Sequence, residues 1–203
     1  MPNRKHIDHF RSAIRKLDQL SLELESGGCF MITRLTVLKR LCADANAAGR
    51  FAGYLAERAL QQLVHQPQSV CGGEVSHERF VALATEGVNC LKVVLAASAP
   101  ELAQLAKLRS AYAALKAAQS EYRKLKWDSV RTIHCMPALT VEKALTCVLC
   151  SGQATDLAYT MARDFAERYD ARYGTGLIPA SAPFVREITE FWRMEWQRLC
   201  EAQ

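Results

Sequence analysis

The chain has 203 residues, half of them apolar and 23% charged, with only 10 Gly and 6 Pro; it is long enough to bury its own core, and this composition excludes collagen-like and disordered classes. The formal charge of +5 is unevenly placed: residues 100–131 hold seven Lys or Arg against three acids, whereas 153–203 hold six Arg against eight acids. An anionic partner would therefore not meet a uniformly positive body.

The first residues, Met1-Pro2-Asn3-Arg4-Lys5-His6, are followed by Asp8, Arg11, Arg15 and Lys16 where a signal peptide needs an apolar run, so secretion is not expected. The most apolar stretch, Phe80 to Ala99, contains Glu86, Asn89 and Lys92 and is rich in Ala, which points to a core helix and not a membrane span. Among eight cysteines, Cys42, Cys90, Cys147, Cys150 and Cys200 sit in helical patterns as small apolar residues, which predicts reduced thiols and a cytoplasmic location.

Apolar spacings of three and four recur from end to end, and no convincing alternating strand pattern interrupts them. Ile7, Phe10, Ile14, Leu17, Leu20 and Leu24 form the first stripe, closed by Gly27-Gly28. A second helix is predicted from about Phe30 to Ala45, and after a break at Asn46–Gly49 a third carries Phe51, Tyr54, Leu55 and Val64. Ser76 reads as the N-cap of a fourth, whose Phe80, Leu83, Ala84, Val88, Leu91 and Leu95 give it the broadest apolar surface and the most central place.

Ser98-Ala99-Pro100-Glu101 opens a long basic helix over about 100–130. Its Leu105, Leu108, Tyr112 and Leu115 follow a coiled-coil seam that fades at Gln119, Tyr122 and Lys126. Met136-Pro137 is expected to break the chain before a short helix capped by Thr140 and running through Cys150. Ser151-Gly152 then turns into a helix with Leu157, Met161, Phe165 and Tyr169, stopped by Gly174 and Gly176. Ser181 and Pro183 start the last helix, an aromatic-rich stripe of Phe184, Val185, Ile188, Phe191, Trp192, Trp196 and Leu199. The expected fold is one all-α domain over 1–203, an irregular antiparallel bundle of about seven to eight helices.

Several residue sets could carry function. In 121–131, the cations Arg123, Lys124, Lys126 and Arg131 alternate with Tyr122 and Trp127, a composition suited to neutralising phosphates and stacking bases of single-stranded DNA or RNA, although a solvated helix face with two amphipathic aromatics packed below is the simpler reading. Helix-turn-helix spacing occurs at Ala45, Gly49 and Leu55 and again at Val148, Gly152, Ala158 and Met161, as it does wherever two helices meet at a Gly turn. Cys147-Val148-Leu149-Cys150, with His134-Cys135 upstream, could supply four zinc ligands, although core thiols are the simpler reading and no cofactor is expected.

Arg58 and His65, seven apart on one helix, resemble the Arg-then-His motif of HEPN-type helical ribonucleases. The resemblance rests on those two residues and would imply metal-free RNA cleavage, with Ala59 standing where that family usually has a polar residue. The reading that accounts for most of the chain is a non-enzymatic helical binding or regulatory module that self-associates or takes a protein partner, with Tyr112, Leu115, Trp192 and Trp196 as interface anchors.

Overall fold

The computed structural model describes residues 4–26, 32–65, 77–97, 99–124, 129–173 and 181–201, with side chains for 8–26, 35–65, 77–97, 99–121, 137–166 and 182–201. Every regular element among them is helical: α1 (Arg4–Glu25), a 3-10 helix (Ile32–Val37), α2 (Leu38–Leu41), α3 (Ala45–Val64), α4 (His77–Ala96), α5 (Leu102–Lys124), α6 (Ser129–Leu149), a 3-10 turn (Ser151–Gln153), α7 (Ala154–Tyr173) and α8 (Ser181–Glu201). The fold is an all-α irregular bundle, without a strand among the described residues. No helix among them is long and apolar enough to cross a membrane.

The chain gathers into two compact units, one formed by residues 1–48 with 159–203 and the other by 49–158. In the first, the stripe Phe10, Ile14, Leu17, Leu20 and Leu24 of α1 is buried, as are Phe184, Val185, Ile188 and Trp192 of α8. Phe10 meets the edge of Trp192 at 5.7 Å between ring centroids and stacks on Trp196 at 5.9 Å. Toward the other end of α1, Asp18 pairs with Arg193 at 2.6 Å and Glu25 with Arg186, so the two helices run antiparallel. These part-exposed ion pairs contribute only about 0.2–1 kcal/mol each and chiefly set register; apolar and aromatic burial supplies the stability. Phe165 of α7 stacks on Phe184 at 5.4 Å.

In the second unit, α4 packs against α3, α5 and α6, the central place its broad apolar surface predicts. Ion pairs Lys92–Glu57 at 3.3 Å and Arg79–Glu121 at 3.4 Å mark antiparallel neighbours on either side of it. Two glycines allow the close approach. A Cβ on Gly53 would stand 2.7 Å from Leu95 Cδ1, and one on Gly87 would stand 3.2 Å from Leu145 Cδ1, so α3 and α6 meet α4 almost backbone to side chain.

Three expected boundaries move. The break at Asn46–Gly49 lies inside α3, because Asp44 caps the helix earlier, accepting the Ala47 N–H on Oδ1 at 2.8 Å; a Gly in a helix interior costs only about 1 kcal/mol, which packing on α4 offsets. The helix-turn-helix reading at Ala45–Leu55 goes with it, since no turn is present. The expected helix 30–45 is instead a 3-10 helix followed by the single turn of α2.

Pro137 does not end a helix but sits inside α6. A proline there forfeits one hydrogen bond and strains the preceding turn by roughly 3 kcal/mol. The helix continues because Pro137, Ala138, Thr140, Val141, Ala144 and Leu145 are all buried, making Thr140 an interior residue where a cap was expected. At the start of α5 the expected signal is present in another form: the Gln104 side-chain carbonyl accepts the Glu101 N–H at 2.9 Å, half of a capping box.

Candidate functional site

The long basic helix presents two different seams. Its inward face, Leu108, Ala111, Leu115, Ala118 and Gln119, is buried, so the seam expected to fade at Gln119 instead extends to it. Its outward face carries Ala103, Ala106, Ser110, Ala113, Ala117 and Ser120, all exposed and spaced three, four, three, four, three. That is the spacing by which one helix follows another. Leu102, at the head of the seam, is 86% exposed, an unusual setting for a leucine at the start of a helix. Lys107, Arg109 and Lys116 flank the seam. The Lys116 ammonium donates to the Tyr112 hydroxyl at 3.0 Å, a contact that raises its pKa and keeps it charged.

The four expected anchors divide. Leu115 and Trp192 are completely enclosed by the chain itself and have no side-chain surface left for a partner. Tyr112 and Trp196 are half-buried, the first holding Lys116 and the second lying on Phe10.

Arg58 and His65 are drawn to the same residue. Arg58 Nη1 donates to Gln61 Oε1 at 3.2 Å, and His65 Nδ1 lies 2.7 Å from the Gln61 carbonyl. A carbonyl can only accept, so the Nδ1 of His65 is the donor in this contact. His65 is exposed just beyond the end of α3, whereas Arg58 is half-buried.

Cys147 and Cys150 point to different environments. Cys147 is buried and donates its S–H to the Ala154 carbonyl at 3.4 Å, while Cys150 is exposed beyond the end of α6. Burial pushes the Cys147 thiol up from 9.0 to about 12. Cys150 and Cys200 are exposed, against the expectation that both are buried; Cys42 is buried and Cys90 intermediate, and all five are free thiols. Among the described residues no group of three or more His, Cys, Asp or Glu could hold a metal ion.

The side chains of His134 and Cys135 lie outside the described residues, as do those of Tyr122, Arg123, Lys124, Lys126, Trp127 and Arg131. The second helix-turn-helix spacing coincides with a real turn, Ser151–Gln153, between α6 and α7. The Tyr159 ring just beyond it is covered by Lys39, whose ammonium stands 4.9 Å from the ring centroid.

Sequence reasoning passed over the outward seam of α5 because Ala and Ser weigh little in an apolar count. Their three-four spacing was the available signal. Comparison of the chain with protein-family models, curated proteins and solved structures gives no match to any of them.

Proposed function

We propose that this protein is a non-enzymatic helical binding module that self-associates through the outer face of α5, where a second copy packs antiparallel. The observation behind this reading is the exposed seam Ala103, Ala106, Ser110, Ala113, Ala117 and Ser120, whose spacing is the same read in either direction. Crossing two such helices at the midpoint between Ser110 and Ala113 sets Ala103 opposite Ser120, Ala106 opposite Ala117, and Ser110 opposite Ala113. A two-fold axis requires this self-complementarity. Side chains this small let two backbones approach closely, so dispersion contacts form along the full seam.

In this register charge is unfavourable, since Arg109 comes within one helical turn of Lys116 of the second copy, twice by symmetry. This repulsion holds the association to moderate strength. Sedimentation equilibrium tests the reading. The wild-type chain is expected to dimerise reversibly, Ala113→Arg to give a monomer with unchanged thermal stability, and Arg109→Ala to tighten the dimer. A wild-type chain that stays monomeric at every accessible concentration, or a dimer indifferent to Ala113→Arg, overturns the proposal.

A further inference from the structure

The unit formed by residues 1–48 with 159–203 contains two clefts beside α1 that share one side chain. The larger, about 370 Å³, is lined by Lys16, Gln19 and Leu20 of α1 and by Thr36, Val37 and Arg40 across from them. The other, about 360 Å³, is lined by His9, Phe10, Arg40 and Ala43. Both volumes fall in the range of small-molecule sites. Their linings differ: the first offers two cations, an amide and a hydroxyl, and the second is mainly apolar.

Neither Lys16 nor Arg40 has an ion-pair or hydrogen-bond partner among the described residues. Three of the four carboxylates of α1 are engaged elsewhere: Asp18 by Arg193 and Glu25 by Arg186 of α8, while Glu23 accepts the Gln19 side-chain N–H at 3.0 Å. Asp44, beyond α2, caps α3. Two cations left without carboxylates on one concave surface match an anion of charge two.

We infer that this pair of clefts binds a small organic phosphate monoester, with the phosphate between Lys16 and Arg40 and the apolar body beside Phe10, Ala43 and His9. The Arg40 guanidinium takes two phosphate oxygens with its paired N–H groups, and Lys16 serves a third as a point charge. The Thr36 hydroxyl is a further donor on the same wall. Arg40 lines both clefts and so stands where phosphate and body join. The site lies in a different unit from the α5 seam, and its test is independent of self-association.

Titration calorimetry at fixed salt, using phenyl phosphate, inorganic phosphate and benzyl alcohol, decides the matter. Phenyl phosphate is expected to bind about tenfold more tightly than inorganic phosphate, and benzyl alcohol not to bind. Lys16→Ala and Arg40→Ala should each weaken phenyl phosphate about tenfold or more, the loss of one charge-assisted contact. Ala43→Trp should weaken phenyl phosphate while leaving inorganic phosphate unchanged, since it fills only the apolar cleft. All three positions are exposed, so the variants should melt with the wild type. Absence of phenyl phosphate binding at millimolar concentration, or binding that Lys16→Ala and Arg40→Ala leave intact, overturns the inference. So does binding confined to a single-stranded oligonucleotide tested alongside, which would mark a polyanion surface instead.

Discussion

Cys147 links burial to chemistry at a single atom. Its thiol ionises in the unfolded chain near 9.0 but in the folded chain only at about 12, because burial disfavours the thiolate. The unfolded state therefore loses its proton first. The stability gained by burying the neutral thiol is complete below pH 9 and falls as pH rises toward 12. Cys147→Ala removes that titration, so the stability difference between wild type and variant should shrink through this window, as paired denaturant titrations would measure. A native-state pulse of iodoacetamide near pH 8, mapped by mass spectrometry, should mark exposed Cys150 and Cys200 and spare Cys147 and Cys42. Rapid labelling of Cys147 would contradict its burial. The spacing of the Cys147–Cys150 pair was visible in the sequence; that one thiol faces the core and the other solvent was not, because α6 ends between them at Leu149.

At the scale of the element, helix type and face were largely legible, because apolar residues at spacings of three and four can be buried together only on a helix. The stripes of α1 and α8 lie where the pattern puts them, down to Leu24 and Ile188. What misled were the breakers, whose effect depends on neighbours far away in sequence. Gly49 is tolerated inside α3, where a Cβ would stand 3.4 Å from Leu95 Cδ2 of α4, and Pro137 is carried within α6 by burial around it. Gly53→Val puts a branched side chain where even a Cβ would be 2.7 Å from Leu95 Cδ1 and should cost about 1–3 kcal/mol. For a chain of this size that lowers Tm by roughly 2–4 °C per kcal/mol. Gly152→Ala is the control: a Cβ there meets nothing within 4 Å, so stability should change by less than about 0.5 kcal/mol. Equal melting of Gly53→Val and wild type would mean that α3 and α4 do not approach so closely.

For the whole molecule, length and composition carry no mark of the division at 48/49 and 158/159. Domain boundaries usually fall in exposed, polar linkers, which a sequence reveals through Gly, Pro and Ser. Here both crossing points lie inside helices, α3 and α7, so neither has a compositional signature. The two units also differ in how the chain builds them: residues 49–158 are one unbroken stretch, whereas the other unit is assembled from the two ends of the chain. The unbroken stretch holds most of α3 together with α4, α5 and α6, and the buried Phe51, Leu55, Phe80, Leu91, Leu115 and Leu145 belong to it. A fragment of residues 44–158, which retains the Asp44 cap, is therefore expected to be helical and to unfold cooperatively by circular dichroism, whereas 1–48 alone should stay unfolded for want of α8 against α1. Cooperative unfolding of 44–158 would establish that unit as a domain able to fold by itself. A fragment that is helical only in the intact chain would make the two units parts of one cooperative domain over all 203 residues, the arrangement that length alone suggests.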